Sequence, residues 1–126
     1  MSKIERIDTS KAPGAVGPYS QAMATENLIY TSGQLGINPA DKSMPEGVRE
    51  QAILSLSNVK AVLEAAGTGM DKVLKATVFL TEMSDFAVVN EIYADFFSEP
   101  YPARSCFAVK ALPLGAKVEI EVVAAR

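Results

Sequence analysis

Residues 48 to 67 most constrain the fold. Val48, Ala52, Leu56, Val59 and Leu63 recur every three or four residues, the repeat that gathers side chains on one stripe of an α-helix. Gly67 follows where a left-handed C-cap falls. The stretch "INPADKSMPEG" ahead of the stripe, with two prolines, an aspartate and a glycine, reads as the loop from which the helix starts. A helix apolar on one side needs a second layer to cover that side.

Strands supply that layer. "KIERID" alternates as an edge-type first strand, and "SQAMATENLIYTSGQLG" reads as two strands around a turn near Glu26 and Asn27. "KVLKATVFLT" alternates with Leu74, Ala76, Val78 and Leu80 on one face and Lys75, Thr77, Phe79 and Thr81 on the other. After Ser84 or Asp85 as N-cap, Phe86, Val89, Tyr93 and Phe96 make a second helical stripe that must end before Pro100. "RSCFAV" and "KVEIEVVA", joined by "KALPLGA", are two more strands. The order β-β-β-α-β-α-β-β predicts one α+β domain over residues 1–126, a mixed six-stranded sheet with both helices on one face.

In the last strand Val118, Ile120 and Val122 point toward the helices, so Glu119, Glu121 and Val123 occupy the bare face. Thr77 and Phe79 share it, and the same reading puts Arg104 and Cys106 there too. Such a half-apolar face is too large to leave in water on a chain of 126 residues, which predicts oligomerisation through it.

Composition narrows the chemistry. At 48% hydrophobic and 21% charged the chain is globular, and a net charge of −3 with scattered lysines and arginines argues against a nucleic-acid or anionic-membrane partner. A single cysteine excludes an internal disulfide, and without histidine a metal site would need carboxylates alone. No stretch has signal-peptide or membrane-spanning character, so a cytoplasmic protein without metal or cofactor is expected.

The candidates for chemistry are few. Arg104 presents a planar fork that fits a carboxylate, and a glutamate on the same inferred face can position or deprotonate a water. From spacing alone a structural ion pair at an oligomer interface is the commoner arrangement, and spacing leaves Glu119 and Glu121 equivalent. Cys106 has no histidine to activate it and reads as a small packed strand residue. Tyr19 follows the rigid "GAVGP". "TSGQLG" offers a glycine for close approach without the spacing of a phosphate-binding loop. Asn90 reads as an exposed helical amide.

Taken in series, "GPYSQA", "YTSGQLG", "DFAVVNEIYADFF", "YPARSCFAV" and "KVEIEVVAAR" resemble the RidA group of the Rid (YjgF-like) family of enamine/imine deaminases, from about Gly17 to the C-terminus. The resemblance implies a chorismate-mutase-like fold assembled as a homotrimer with sites between subunits. It implies that Arg104 grips the carboxylate of a 2-imino acid and that Glu119 directs the attacking water. Tyr19, Ser32, Gly33, Asn90 and Cys106 match positions lining the site, Cys106 mainly through its main chain. The implied reaction converts 2-aminoacrylate or 2-aminocrotonate, through 2-iminopropanoate or 2-iminobutanoate, to a 2-oxo acid and ammonia. Two other readings stay open: a carboxylate-binding or chaperone-like trimer without turnover, and the endoribonuclease-type translation inhibition described for some members.

Overall fold

The computed structural model describes residues 3–126. The elements are β1 (Glu5–Ile7), β2 (Ala22–Ala24), β3 (Leu28–Thr31), β4 (Gln34–Leu35), α1 (Val48–Ala65), β5 (Val73–Leu80), α2 (Phe86–Phe96), β6 (Ala103–Ala108) and β7 (Val118–Ala125). The strands form one seven-stranded sheet in the order β1-β2-β3-β7-β5-β6, with β4 also on β7. Among the described residues only β5 and β6 pair in parallel, and α2 is the crossover that parallel neighbours require. Both helices cover one face, as expected. Among the described residues no helix is long and apolar enough to cross a membrane.

The strand beyond the expected six is β4, and it arises from a bulge. Tyr30 lies opposite Val123 and Gln34 opposite Ile120, so the β3–β4 side spends one more residue than β7 over the same span. The Thr31 hydroxyl fills the broken ladder by accepting the Val122 N–H at 3.0 Å.

Helix α1 carries the expected stripe: Ala52, Leu56, Val59 and Leu63 are fully buried. Cutting one of those leucines to alanine costs about 2–5 kcal/mol. Gly67 sits at φ +83°, its N–H bonded to the Glu64 carbonyl and that of Thr68 to Leu63, the paired bonds that close a helix through a left-handed residue. Beside the stripe runs a second buried line, Gln51, Ser55 and Asn58. Ser55 donates to the Gln34 carbonyl at 2.7 Å, and Asn58 to those of Leu35 and Ile37 at 3.1 and 2.8 Å. Any Cβ on Gly36 would collide with the Gln51 backbone, so glycine lets β4 lie directly against α1.

In α2, Val89 and Tyr93 of the expected stripe are buried together with Ile92, and Phe97 just beyond. Asp85 is the residue before the helix, and its side chain makes no capping hydrogen bond.

Two facing assignments change. Leu74 is 52% exposed while Val73 is buried, because the β5–β7 register slips between Val73 and Lys75; the extra residue shifts the alternation by one at that point. Arg104 and Cys106 lie opposite Ala76 and Val78, both buried beneath the helices. They therefore sit on the helix side of the sheet, and Ser105 and Phe107 take the bare face with Thr77 and Phe79. "ARSCFA" has no polar–apolar alternation, so its phase is set only by pairing with β5. The bare face carries Met23, Tyr30, Phe79, Phe107 and Val123 among Glu119, Glu121 and Lys75, and Lys75 Nζ donates to Ser105 Oγ at 2.9 Å.

Candidate active site

The candidate residues fall into two groups. On the helix side, β6 presents Arg104 to α2. Its Nη1 donates to Asn90 Oδ1 at 2.7 Å, and its guanidinium carbon lies 4.7 Å from the Tyr93 ring centroid and 5.5 Å from that of Phe86. Asn90, at first sight a solvated amide, is a partner of the arginine. Cys106, two residues along β6, packs against the core. Burial pushes its thiol up from the usual range, with the Arg104 cation acting in the opposite sense. A thiol held protonated is a poor nucleophile.

On the other face, the bulge between β3 and β4 brings Ser32 and Gly33 beside β7. Glu119 pairs with Leu35 in β4 and Phe79 in β5, which makes Gly33 its diagonal neighbour. A Cβ on Gly33 would stand 2.7 Å from Glu119 Cδ and 2.8 Å from Oε2, so the carboxyl rests directly on the glycine. Burial pushes the Glu119 carboxyl above the usual carboxylate range, and the like charge of Glu121 adds to the shift. Glu119, half-buried, and Glu121, exposed, are thus unlike in surroundings despite sharing a face.

Ser32 Oγ donates to the Ser20 carbonyl at 2.6 Å, tying the bulge to the segment that carries Tyr19. Tyr19, Ser32, Gly33 and Glu119 line a groove of about 880 Å³ whose apolar walls include Val16, Leu35 and Leu114. The groove's rim is fixed by Gln21, which the sequence reading passed over. Its Nε2 donates to the carbonyls of Thr9, Ala12 and Pro13, and its Oε1 accepts the Thr9 N–H at 2.7 Å. The one available signal was a glutamine immediately before a strand's apolar positions. Among the described residues no three His, Cys, Asp or Glu side chains are grouped to hold a metal ion.

The sheet itself separates the two groups: a fork suited to a carboxylate on one side, a carboxyl of raised proton affinity in an apolar groove on the other. A seven-stranded mixed sheet carrying two helices on one face defines an α+β fold, here with its candidate polar groups divided between the two sides. The family model described as Endoribonuclease L-PSP matches residues 9–126, and the chain belongs to that family. It is 54% identical over 95% of its length to the RutC family protein y4sK of Sinorhizobium fredii, covering 96% of that protein. It is 47% identical over 98% of its length to the 2-iminobutanoate/2-iminopropanoate deaminase of Bos taurus, covering 93% of it. Among solved structures, E. coli TdcF with bound serine superposes with a TM-score of 0.93 at 43% identity, over 97% of this chain and 98% of that one.

Proposed function

We propose that the protein hydrolyses the 2-imino acids 2-iminopropanoate and 2-iminobutanoate to 2-oxo acids and ammonia, at sites formed between the subunits of a homotrimer. The observation that carries this reading is the division of the site residues between the two sides of the sheet. Arg104, Asn90 and Cys106 of one subunit can meet Tyr19, Ser32, Gly33 and Glu119 only of another, and the half-apolar bare face supplies the surface for that contact. The deaminase names of relatives near half identity support the substrate class.

Arg104 grips the substrate carboxylate with two parallel hydrogen bonds, and the Cys106 main chain closes the same end. Glu119, as carboxylate, takes a proton from water as its oxygen bonds to the imine carbon. The proton passes to nitrogen to give a carbinolamine, and the hydroxyl proton follows to the amine through Glu119 as the C–N bond breaks, so that ammonia leaves and a carbonyl remains. Carbon, nitrogen and charge balance with one water consumed and no redox change. A base whose proton affinity is raised toward neutrality suits this exchange. Tyr19 adds a phenol to the groove, and Ser32 and Gly33 set its floor. The reaction needs positioning and electrostatics alone. The same reading assigns the protein to the cytoplasm, beside the enzymes whose short-lived enamines it removes.

RNA cleavage is the activity named in the family's description. The groove's charged lining residues are Glu119 and Lys42, a balance unlike the basic tracks that hold a phosphate backbone.

The test generates 2-iminobutanoate in situ and follows its loss. Arg104→Ala, about two to three powers of ten below wild type in kcat/KM, and Glu119→Gln are each expected to add little to background decay. When the two variants are refolded together, roughly three-quarters of trimers are mixed and each holds one complete site, so about a quarter of wild-type activity returns. Mixed trimers without recovery would put both groups in one subunit's site. Wild-type protein that leaves imine decay unchanged would end the deaminase reading and leave a binder instead, and a fully active Glu119→Gln would remove Glu119 as the base.

A further inference from the structure

Phe86, Asn90 and Tyr93 are spaced four and three residues apart in α2, so they form one stripe facing β6. The sequence accounts for the two aromatics as packing. Both instead turn a ring toward Arg104, at 5.5 and 4.7 Å from the guanidinium carbon, with Asn90 accepting from Nη1 between them. We infer that Phe86 and Tyr93 are positioning residues that fix the angle of the Arg104 fork before substrate arrives, an inference that rests on Arg104 being the carboxylate anchor.

The physical case has three parts. Arg104 stands on an exposed edge strand, where a free arginine would surrender several rotatable bonds on binding a ligand; stacking removes that loss in advance. A guanidinium lying on ring faces keeps its edge N–H groups pointing outward, and Asn90 occupies only one of five. Finally, the Tyr93 hydroxyl is buried and has no hydrogen-bond partner among the described residues. The π face is therefore the part of Tyr93 that the site uses, and phenylalanine can replace it there.

The experiment measures 2-oxobutanoate binding by calorimetry and imine turnover for Phe86→Leu, Tyr93→Leu, Tyr93→Phe and Arg104→Ala, with circular dichroism as the check on folding. Each leucine variant is expected to weaken binding and raise KM by about three- to tenfold, while kcat changes less. Tyr93→Phe restores the ring and brings KM back to near wild type. In an Arg104→Ala background the leucine changes add nothing, because they act through the arginine. Tyr93 also packs on Phe97 at 4.4 Å, so Phe86→Leu, half-buried at the helix start, is the arm least exposed to loss of folding. Folded leucine variants with unaltered binding, or with lowered kcat at unchanged KM, would overturn the inference and return both rings to packing. Wild-type binding by Arg104→Ala would instead overturn the anchor on which it rests.

Discussion

The two sides of the sheet hold their polar groups by different means. Arg104 is held by side chains: an amide and two rings on α2. Glu119 is held by backbone, lying on a glycine that a bulge has pushed against β7. A group steadied by side chains can be loosened by degrees, one neighbour at a time. A group steadied by the absence of a side chain is displaced by the first carbon added. The contrast suits the proposed roles: a permanently charged anchor tolerates water and exposure, whereas a base gains its proton affinity from being half-buried.

The largest effect that sharpens this contrast is expected from Arg104→Ala, about two to three powers of ten in kcat/KM. Arg104→Lys should fail substantially too, since an ammonium keeps the charge and loses the fork. β6 is an edge strand with exposed ends, so circular dichroism and sedimentation should show the fold and assembly intact. An alanine variant that sediments as wild type does and keeps wild-type kcat/KM would make Arg104 a structural partner of Asn90 and dissolve the comparison.

Gly33→Ala comes next. The new carbon meets the flexible end of Glu119 at 2.7 Å, so the carboxyl moves while the strand stays. A displacement of that size is expected to cost about tenfold to a hundredfold in kcat/KM with little change in thermal midpoint. Unchanged kinetics would show that the carboxyl's seat is immaterial.

The smallest effect concerns pH. With Glu119 as the proposed base, active as carboxylate, kcat/KM should fall as pH drops through its raised pKa. Glu121→Gln removes the second cause of that rise and should move the acid limb to lower pH without altering the plateau. Folding stability responds to pH in the opposite direction. A carboxyl with raised folded pKa contributes its full stability below the unfolded value, and that contribution is lost as pH rises through the folded one. Glu119→Gln should thus unfold at a higher temperature than wild type near neutral pH, a margin that disappears below the ordinary carboxylate range. An acid limb indifferent to Glu121 would remove the electrostatic part of the contrast.

How much of this could be read in the sequence differs between the sides as well. The α1 stripe and its Gly67 cap were legible because a 3.6-residue period and a left-handed residue each leave a local mark. The phase of β7 was legible because Val118, Ile120 and Val122 alternate cleanly. β6 offered no such rhythm, so Arg104 and Cys106 were expected on the wrong face; only the register with β5 decides it. Leu74 was misplaced for a related reason, since a bulge leaves no trace in composition. β4 was hidden by the bulge at Thr31–Gly33. Motif resemblance named Arg104, Glu119 and their neighbours. That they lie on opposite sides of one sheet is a fact of pairing, which no single stretch of sequence records.

The fastening of β4 to α1 has a consequence beyond the groove. The carbonyls of Gln34, Leu35 and Ile37 are already taken by Ser55 and Asn58. A two-residue strand whose acceptors are spoken for makes a poor template for a foreign chain. Stripping those two helix side chains would free a row of acceptors beside an apolar groove, and the damage would surface first as aggregation during expression, before any change in the chemistry of the molecules that folded.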